Sequence, residues 1–165
     1  MNRARLYLGI AFAAPVTLLT GLFYILPFTV LGWYRCIGKR VAPTDKSPLG
    51  TGWAFVLVPE KAPAFLNKLW VGWGGHCVGS TIVLKVEPTN PITLNHELHH
   101  VHQMHRLGFF QPIFYALSSL ITWLAQEKSY RGNAFEVAAR RASGQVVDVD
   151  SFVQGFAMAK KVNAK

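Results

Sequence analysis

The sequence predicts an α+β domain behind an N-terminal transmembrane helix, and three observations carry that expectation. From Leu6 to Tyr34 the chain has no charged residue, 29 positions in a row. Gly52 to Val58 and Ser80 to Val86 are rich in β-branched or aromatic residues and bounded by Gly or Pro, as short strands are. Asn95 to Leu107 reads as one helix, and it contains His96-Glu97-Leu98-His99-His100. The resulting division is an anchor over 1–34, a basic linker over 35–51 and one domain over 52–165, long enough for a modest core.

In chain order, the uncharged run exceeds the roughly 20 residues needed to cross a hydrocarbon core of about 30 Å. Pro15 and Pro27 are expected to kink it or divide it into a spanning and an interfacial piece, with Trp33 and Tyr34 in an aromatic belt. A cleaved secretory signal is the alternative, with Arg3 and Arg5 at its start and a cleavage site within Ala11 to Ala14. Arg35 to Gly52, rich in Pro, Gly and basic residues, reads as linker. Ala62 to Trp70 reads as a short helix, and Gly72-Trp73-Gly74-Gly75 as a turn without the GxxxxGK pattern of a phosphate loop. Leu107 to Gln126 is a second uncharged run, open to being a core helix, a re-entrant element or a second span. It joins two segments that must return to one site, which favours a core or membrane-surface hairpin. Tyr130 to Arg140 reads as a turn leading into a helix capped by Asn133, and Asp150 caps a last helix over about Ser151 to Lys161.

The chemistry is concentrated in the HExxH stretch. At about 100° per residue, His96 and His100 fall about 40° apart around a helix, one turn from each other, and can grip one ion. Glu97 projects beside them, where a carboxylate can take a proton from water. Zinc suits this donor set: neutral imidazoles hold it, and an open position keeps a water whose pKa drops to about 7. Gln103 projects within about 20° of the His96 direction and can hydrogen-bond a ligand. Five of the six histidines lie between positions 96 and 105, so a merely polar, His-rich helix is the competing reading. His102 and His105 point away and read as packing or surface residues, although His105 and Tyr130 are also the candidates for stabilising an oxyanion.

A third ligand must come from elsewhere. Glu136, three residues after Asn133, is the leading candidate; the alternative is a capping-box glutamate that only reaches back to the Asn133 amide. Glu127, Asp148, Asp150 and His76 are the other carriers of a suitable group.

The runs TLNHELHHVHQMHRLGFFQPIFY and YRGNAFEVAAR resemble the gluzincin-type zinc metallopeptidases, and in particular small, poorly characterised bacterial proteins with HELxHVxQ and NxFExxA stretches. The resemblance covers roughly positions 75 to 142. It implies a zincin-like minimal metallopeptidase domain with His96, His100 and Glu136 as zinc ligands and Glu97 as general base. It also implies an edge strand before the metal helix that pairs with an extended peptide, a role for Ser80 to Val86. Where better-known gluzincins place an aspartate after the ligand helix's ExxA, this chain has Arg140, which removes the expected support of the first histidine.

The net charge is +9, spread over Arg35, Lys39 and Arg40, over Arg140 and Arg141, and over Lys160, Lys161 and Lys165. This suits a domain near anionic lipid headgroups, and no basic-aromatic motif of a nucleic-acid reader accompanies it. Basic residues after the apolar run slightly outnumber those before it, which predicts a cytoplasmic domain. The expected partners are therefore a peptide or protein substrate and membrane lipids, with no nucleic acid. Cys36 and Cys77 form no CxxC pair. Two functions stand: a membrane-anchored zinc metalloendopeptidase, and a non-catalytic membrane or assembly protein using the zinc-bound fold as scaffold, its site closed by a fourth ligand such as Cys77.

Overall fold

The computed structural model describes residues 3–40, 53–69, 74–86, 91–125, 129–145 and 147. The expected helix over 151–161 and the alternative ligands Glu127, Asp148 and Asp150 lie outside the described residues.

The apolar N-terminal run forms one helical rod. α1 (Arg3–Thr20) passes through Pro15, a π-helical turn covers Gly21–Ile25, and α2 (Leu26–Val30) completes it. The π turn immediately precedes Pro27, whose missing N–H breaks the regular ladder there. Residues Tyr7–Val30 are long and apolar enough to cross a membrane.

Four strands form a mixed sheet in the order β1-β2-β4-β3, with β1 (Tyr34–Arg40) antiparallel to β2 (Trp53–Pro59), β2 parallel to β4 (Thr81–Leu84), and β4 antiparallel to β3 (Gly75–Val78). The expected short helix is α3 (Ala64–Leu69), within the β2–β4 crossover. Alternate residues face opposite layers, as the strand period of two requires. Ala54, Val56, Val58, Ile82 and Leu84 pack with Val101 of α4 (Pro91–Leu107), while Leu57 and Val83 pack with Tyr34 and Leu66 against Tyr24, Ile25 and Phe28 of the rod. The sheet thus lies between the HExxH helix and the end of the N-terminal rod.

Three expectations are corrected. Arg35–Arg40 is not linker but the outer strand β1; an edge strand carries charges on its open side, so its Arg and Lys residues imitate a linker composition. The strand within Ser80 to Val86 is not an edge, because β4 is paired on both sides; the edge beside the metal helix is β3, which starts inside a glycine-rich stretch that reads as a turn. The metal helix starts at Pro91 and not at Asn95, because the fixed φ of proline suits a first helical turn.

α4 is followed by a 115° bend into α5 (Phe110–Leu124). Gly108 makes the bend at φ +57°, donating its N–H to Met104 O at 2.7 Å. α6 (Ser129–Gly132) packs on α5, and α7 (Ala134–Ala142) returns to α4.

The N-terminal rod is a wall of the domain. Thr17 Oγ1 accepts from Ser80 N at 3.1 Å, Thr20 Oγ1 shares a 2.8 Å hydrogen bond with Thr81 Oγ1, and Ala13 is buried. α1 and α4 pack so closely at Gly9 that a Cβ there would run into the His105 carbonyl. Gly9→Ala is therefore expected to destabilise the whole domain by roughly 1–3 kcal/mol, read as a lower midpoint in denaturant. An unchanged midpoint would mean that α1 does not rest on α4.

Candidate metal centre

His96 and His100 both project from α4 into the space between the sheet and α7. Their Nε2 atoms lie 3.1 Å apart. α7 brings Glu136 to them from the other side, with Oε2 at 3.2 Å from His96 Nε2 and Oε1 at 3.2 Å from His100 Nε2. The Oε2 contact lacks hydrogen-bond geometry, so that buried oxygen has no hydrogen-bond partner among the described residues. One ligand atom from each of the three residues lies within 4.8 Å of the others, and the group can hold a metal ion. Glu136 is 3% exposed and His96 7%, so the ligand atoms are shielded from bulk water.

The local sequence explains each placement. α7 begins at Asn133, whose side-chain oxygen accepts from Phe135 N at 2.8 Å. The same side chain donates to Tyr115 O at 3.0 Å and to Ser119 Oγ at 2.7 Å, tying α7 to α5. This cap leaves Glu136 free to point at the imidazoles, so the capping-box alternative does not hold. On α4, His100 Nδ1 sits 2.8 Å from Gln103 Oε1, while Gln103 Nε2 donates to Phe135 O at 3.0 Å. Because the Phe135 carbonyl can only accept, the amide orientation is fixed, Nδ1 of His100 must donate, and Nε2 is the nitrogen turned to an ion.

Two tyrosines complete the setting of Glu136. Tyr115 donates to Oε1 at 2.9 Å, and Tyr130 lies near enough to the carboxylate for the two groups to shift each other's pKa. Burial alone would raise the Glu136 pKa, but the contacts of His100 and His96, with the Tyr130 hydroxyl, hold it well below the usual carboxylate range. Burial likewise pulls His100 down, yet the Glu136 and Gln103 partners and the nearby Glu97 charge leave its pKa raised. Burial raises Glu97, opposed in part by His100 and His96. Tyr130 is held by burial and by Glu136 at about 12 and stays a hydroxyl donor.

The metal group forms one side of a cavity of about 360 Å³. Glu97, Tyr115, Tyr130 and strand β3 line it, together with Val16 of α1. His76 and Cys77 line it from β3 but stand outside the metal group; Cys77 Sγ donates to Gly79 O at 3.5 Å, and burial with the Glu97 charge holds its thiol protonated.

Other expected site residues are placed differently. His105 is buried against Ser80, with Nε2 2.8 Å from Ser80 Oγ, and takes no part in the cavity; packing against the turn before β4 rules it out as an oxyanion donor. Tyr130, the other oxyanion candidate, lines the cavity near Glu136. His99 and His102 lie on another side of α4, their rings 6.0 Å apart, and burial with neighbouring cations holds His99 at about 4. Arg140 lies over the Tyr130 ring at 5.3 Å and donates to the Arg131 and Tyr130 carbonyls, fixing α6. His96 Nδ1 is accordingly buried with no hydrogen-bond partner among the described residues.

Tyr115 is the residue that reading the sequence missed. Its signal was present: Tyr115, Ser118, Ser119 and Thr122 recur at helical spacing through an otherwise apolar run, the stripe of a helix whose polar side faces inward.

Compared with known proteins, the chain matches no family model, no curated protein and no solved structure.

The wild-type protein should bind one equivalent of metal, and His96→Ala and Glu136→Ala should retain little of it. Binding only to the folded state adds stability, about 4 kcal/mol at a free-metal concentration 1,000 times Kd. A chelator should therefore lower the wild-type melting temperature and leave that of Glu136→Ala unchanged. Full metal content in the folded Glu136→Ala protein would move the third ligand elsewhere.

Proposed function

We propose that this protein is a membrane-associated zinc metallopeptidase with a zincin-like domain, cleaving peptide bonds with Glu97 as general base. The observation that carries this reading is the convergence of His96, His100 and Glu136 from two helices, beside Glu97, at the wall of a cavity. In a tetrahedral site with metal–ligand distances near 2.0 Å the ligand atoms lie about 3.3 Å apart; the two imidazole Nε2 atoms here are 3.1 Å apart, and each oxygen of Glu136 lies 3.2 Å from one of them. When bound, zinc supplies a Lewis acid and lowers the pKa of water to about 7.

The chain's own residues do the rest. Glu97 stands next to His96 in the cavity wall, where its carboxylate can accept a proton from an attacking water and return it to the leaving amine. Tyr115 holds Glu136 in its orientation, and Gln103 does the same for His100. Among the described strands β3 pairs with β4 alone, and its residues Gly75 to Val78 line the cavity, so an extended peptide can add along its outer side beside Glu97. The apolar rod holds the protein at the membrane, and the net charge of +9 favours anionic headgroups.

Glu97→Gln keeps the size and hydrogen bonding of the side chain and removes the base. It should retain zinc and fold while peptide hydrolysis falls by about 10²–10⁴. The comparison is made on a peptide library with the two proteins matched for zinc content. Equal turnover would remove Glu97 as base, and a folded, zinc-loaded wild type that cleaves no peptide would favour a scaffold.

A further inference from the structure

Two helices of this fold are built inside out. In α5 the hydroxyl groups face the protein: Tyr115 donates to Glu136, Ser119 accepts from Asn133, Ser118 Oγ accepts from Ala134 N at 2.9 Å, and Thr122 is buried. The opposite face is exposed and apolar, with Ile113, Phe114, Leu117 and Ile121 between 44% and 51% exposed. α1 and the π turn after it repeat the arrangement, turning Thr17 and Thr20 to the sheet and Leu18, Leu19 and Leu22 outward. A surface helix in water shows the reverse, apolar side in and polar side out.

The two outer faces adjoin. Gly108, at the start of α5, approaches Phe12 of α1 so closely that a Cβ there would lie 2.8 Å from the Phe12 Cβ, and Phe12, Phe109 and Phe110 are all exposed at this corner. Beyond the corner the helices border the metal-site cavity, α1 through Val16 and α5 through Gln111, Pro112 and Tyr115. No charged residue occurs from Leu107 to Gln126, as none occurs from Leu6 to Tyr34. Lipid acyl chains fit a surface that carries no charge and has its polar groups satisfied inward; a partner protein would be expected to meet a polar rim around an apolar centre.

We propose that the outer faces of both α1 and α5 lie in the acyl chains of a bilayer, and that the cavity between these helices takes its polypeptide substrate from that bilayer. The substrate class rests on the peptidase reading above; the lipid contact of α5 does not. A helix packed along one side on a domain, from Gly9 to Phe28, is thus half embedded with that domain, and α5 is its second lipid-facing element.

The test is photolabelling of the full chain in vesicles of phosphatidylcholine and phosphatidylglycerol that contain a phosphatidylcholine with a photoreactive acyl chain, with adducts mapped by mass spectrometry. Adducts are expected on Ile113, Phe114, Leu117 or Ile121 as well as on Leu18 or Leu22, and also at Val16 or Pro112 on the cavity wall, with none on α7 around Arg140 and Arg141. Labelling of α1 without α5 would overturn the proposal, as would crosslinks between two chains through α5. Labelling of both outer faces but of no cavity residue would overturn the route from the bilayer. Neither readout needs bound metal or turnover, so failure here leaves the hydrolytic reading intact, and an inactive protein with these adducts leaves the lipid faces intact.

Discussion

The structure is organised around one buried carboxylate. Glu136 is almost wholly removed from water, and an ionised carboxylate cannot remain there uncompensated. Its oxygens are met by two imidazoles of α4 and the phenol of Tyr115 on α5, with Tyr130 of α6 close by. Four helices are thereby forced to converge on a single point. Their connections follow: a sharp bend at Gly108, a short α6 pinned by Arg140, and a cap at Asn133 that joins α7 to α5. Breaking a buried ionic contact of this kind typically costs about 3–5 kcal/mol, because the remaining charge is left unpaired.

The same constraint separates positioning from chemistry. Gln103 serves two masters, orienting His100 and bridging α4 to the backbone of α7, so the two ligand helices hold each other in register. His96 has no such support, since its Nδ1 is buried without a partner among the described residues and the helix that could bring a carboxylate brings Arg140 instead. The two histidines are therefore unequal, one held by an amide and one by packing. Glu97 lines the cavity beside both histidines.

Much of this site was legible in the sequence because helical spacing is a local property. The i,i+4 relation of His96 and His100, the place of Glu97 between them, and the direction of Gln103 all follow from 3.6 residues per turn. Glu136 was legible only as one of several candidates, since a glutamate three residues after an N-cap serves a capping box equally well; what decided it was the proximity of α4, a tertiary fact. The strands β1 and β3 escaped because edge strands need few apolar residues and tolerate charge and glycine. The apolar run at the N-terminus was legible as a helix, but its packing was not. Gly9, Ala13, Thr17 and Thr20 form a stripe of small residues that shows only when the partner helix and sheet are in place.

X-ray absorption at the zinc edge of the purified full chain tests whether His96, His100 and Glu136 hold a zinc ion. Only nitrogen and oxygen neighbours at about 2.0–2.2 Å are expected, including the outer-shell scattering of two imidazoles. A sulfur neighbour at about 2.3 Å, which would bring Cys77 into the site, or a single imidazole, would contradict it.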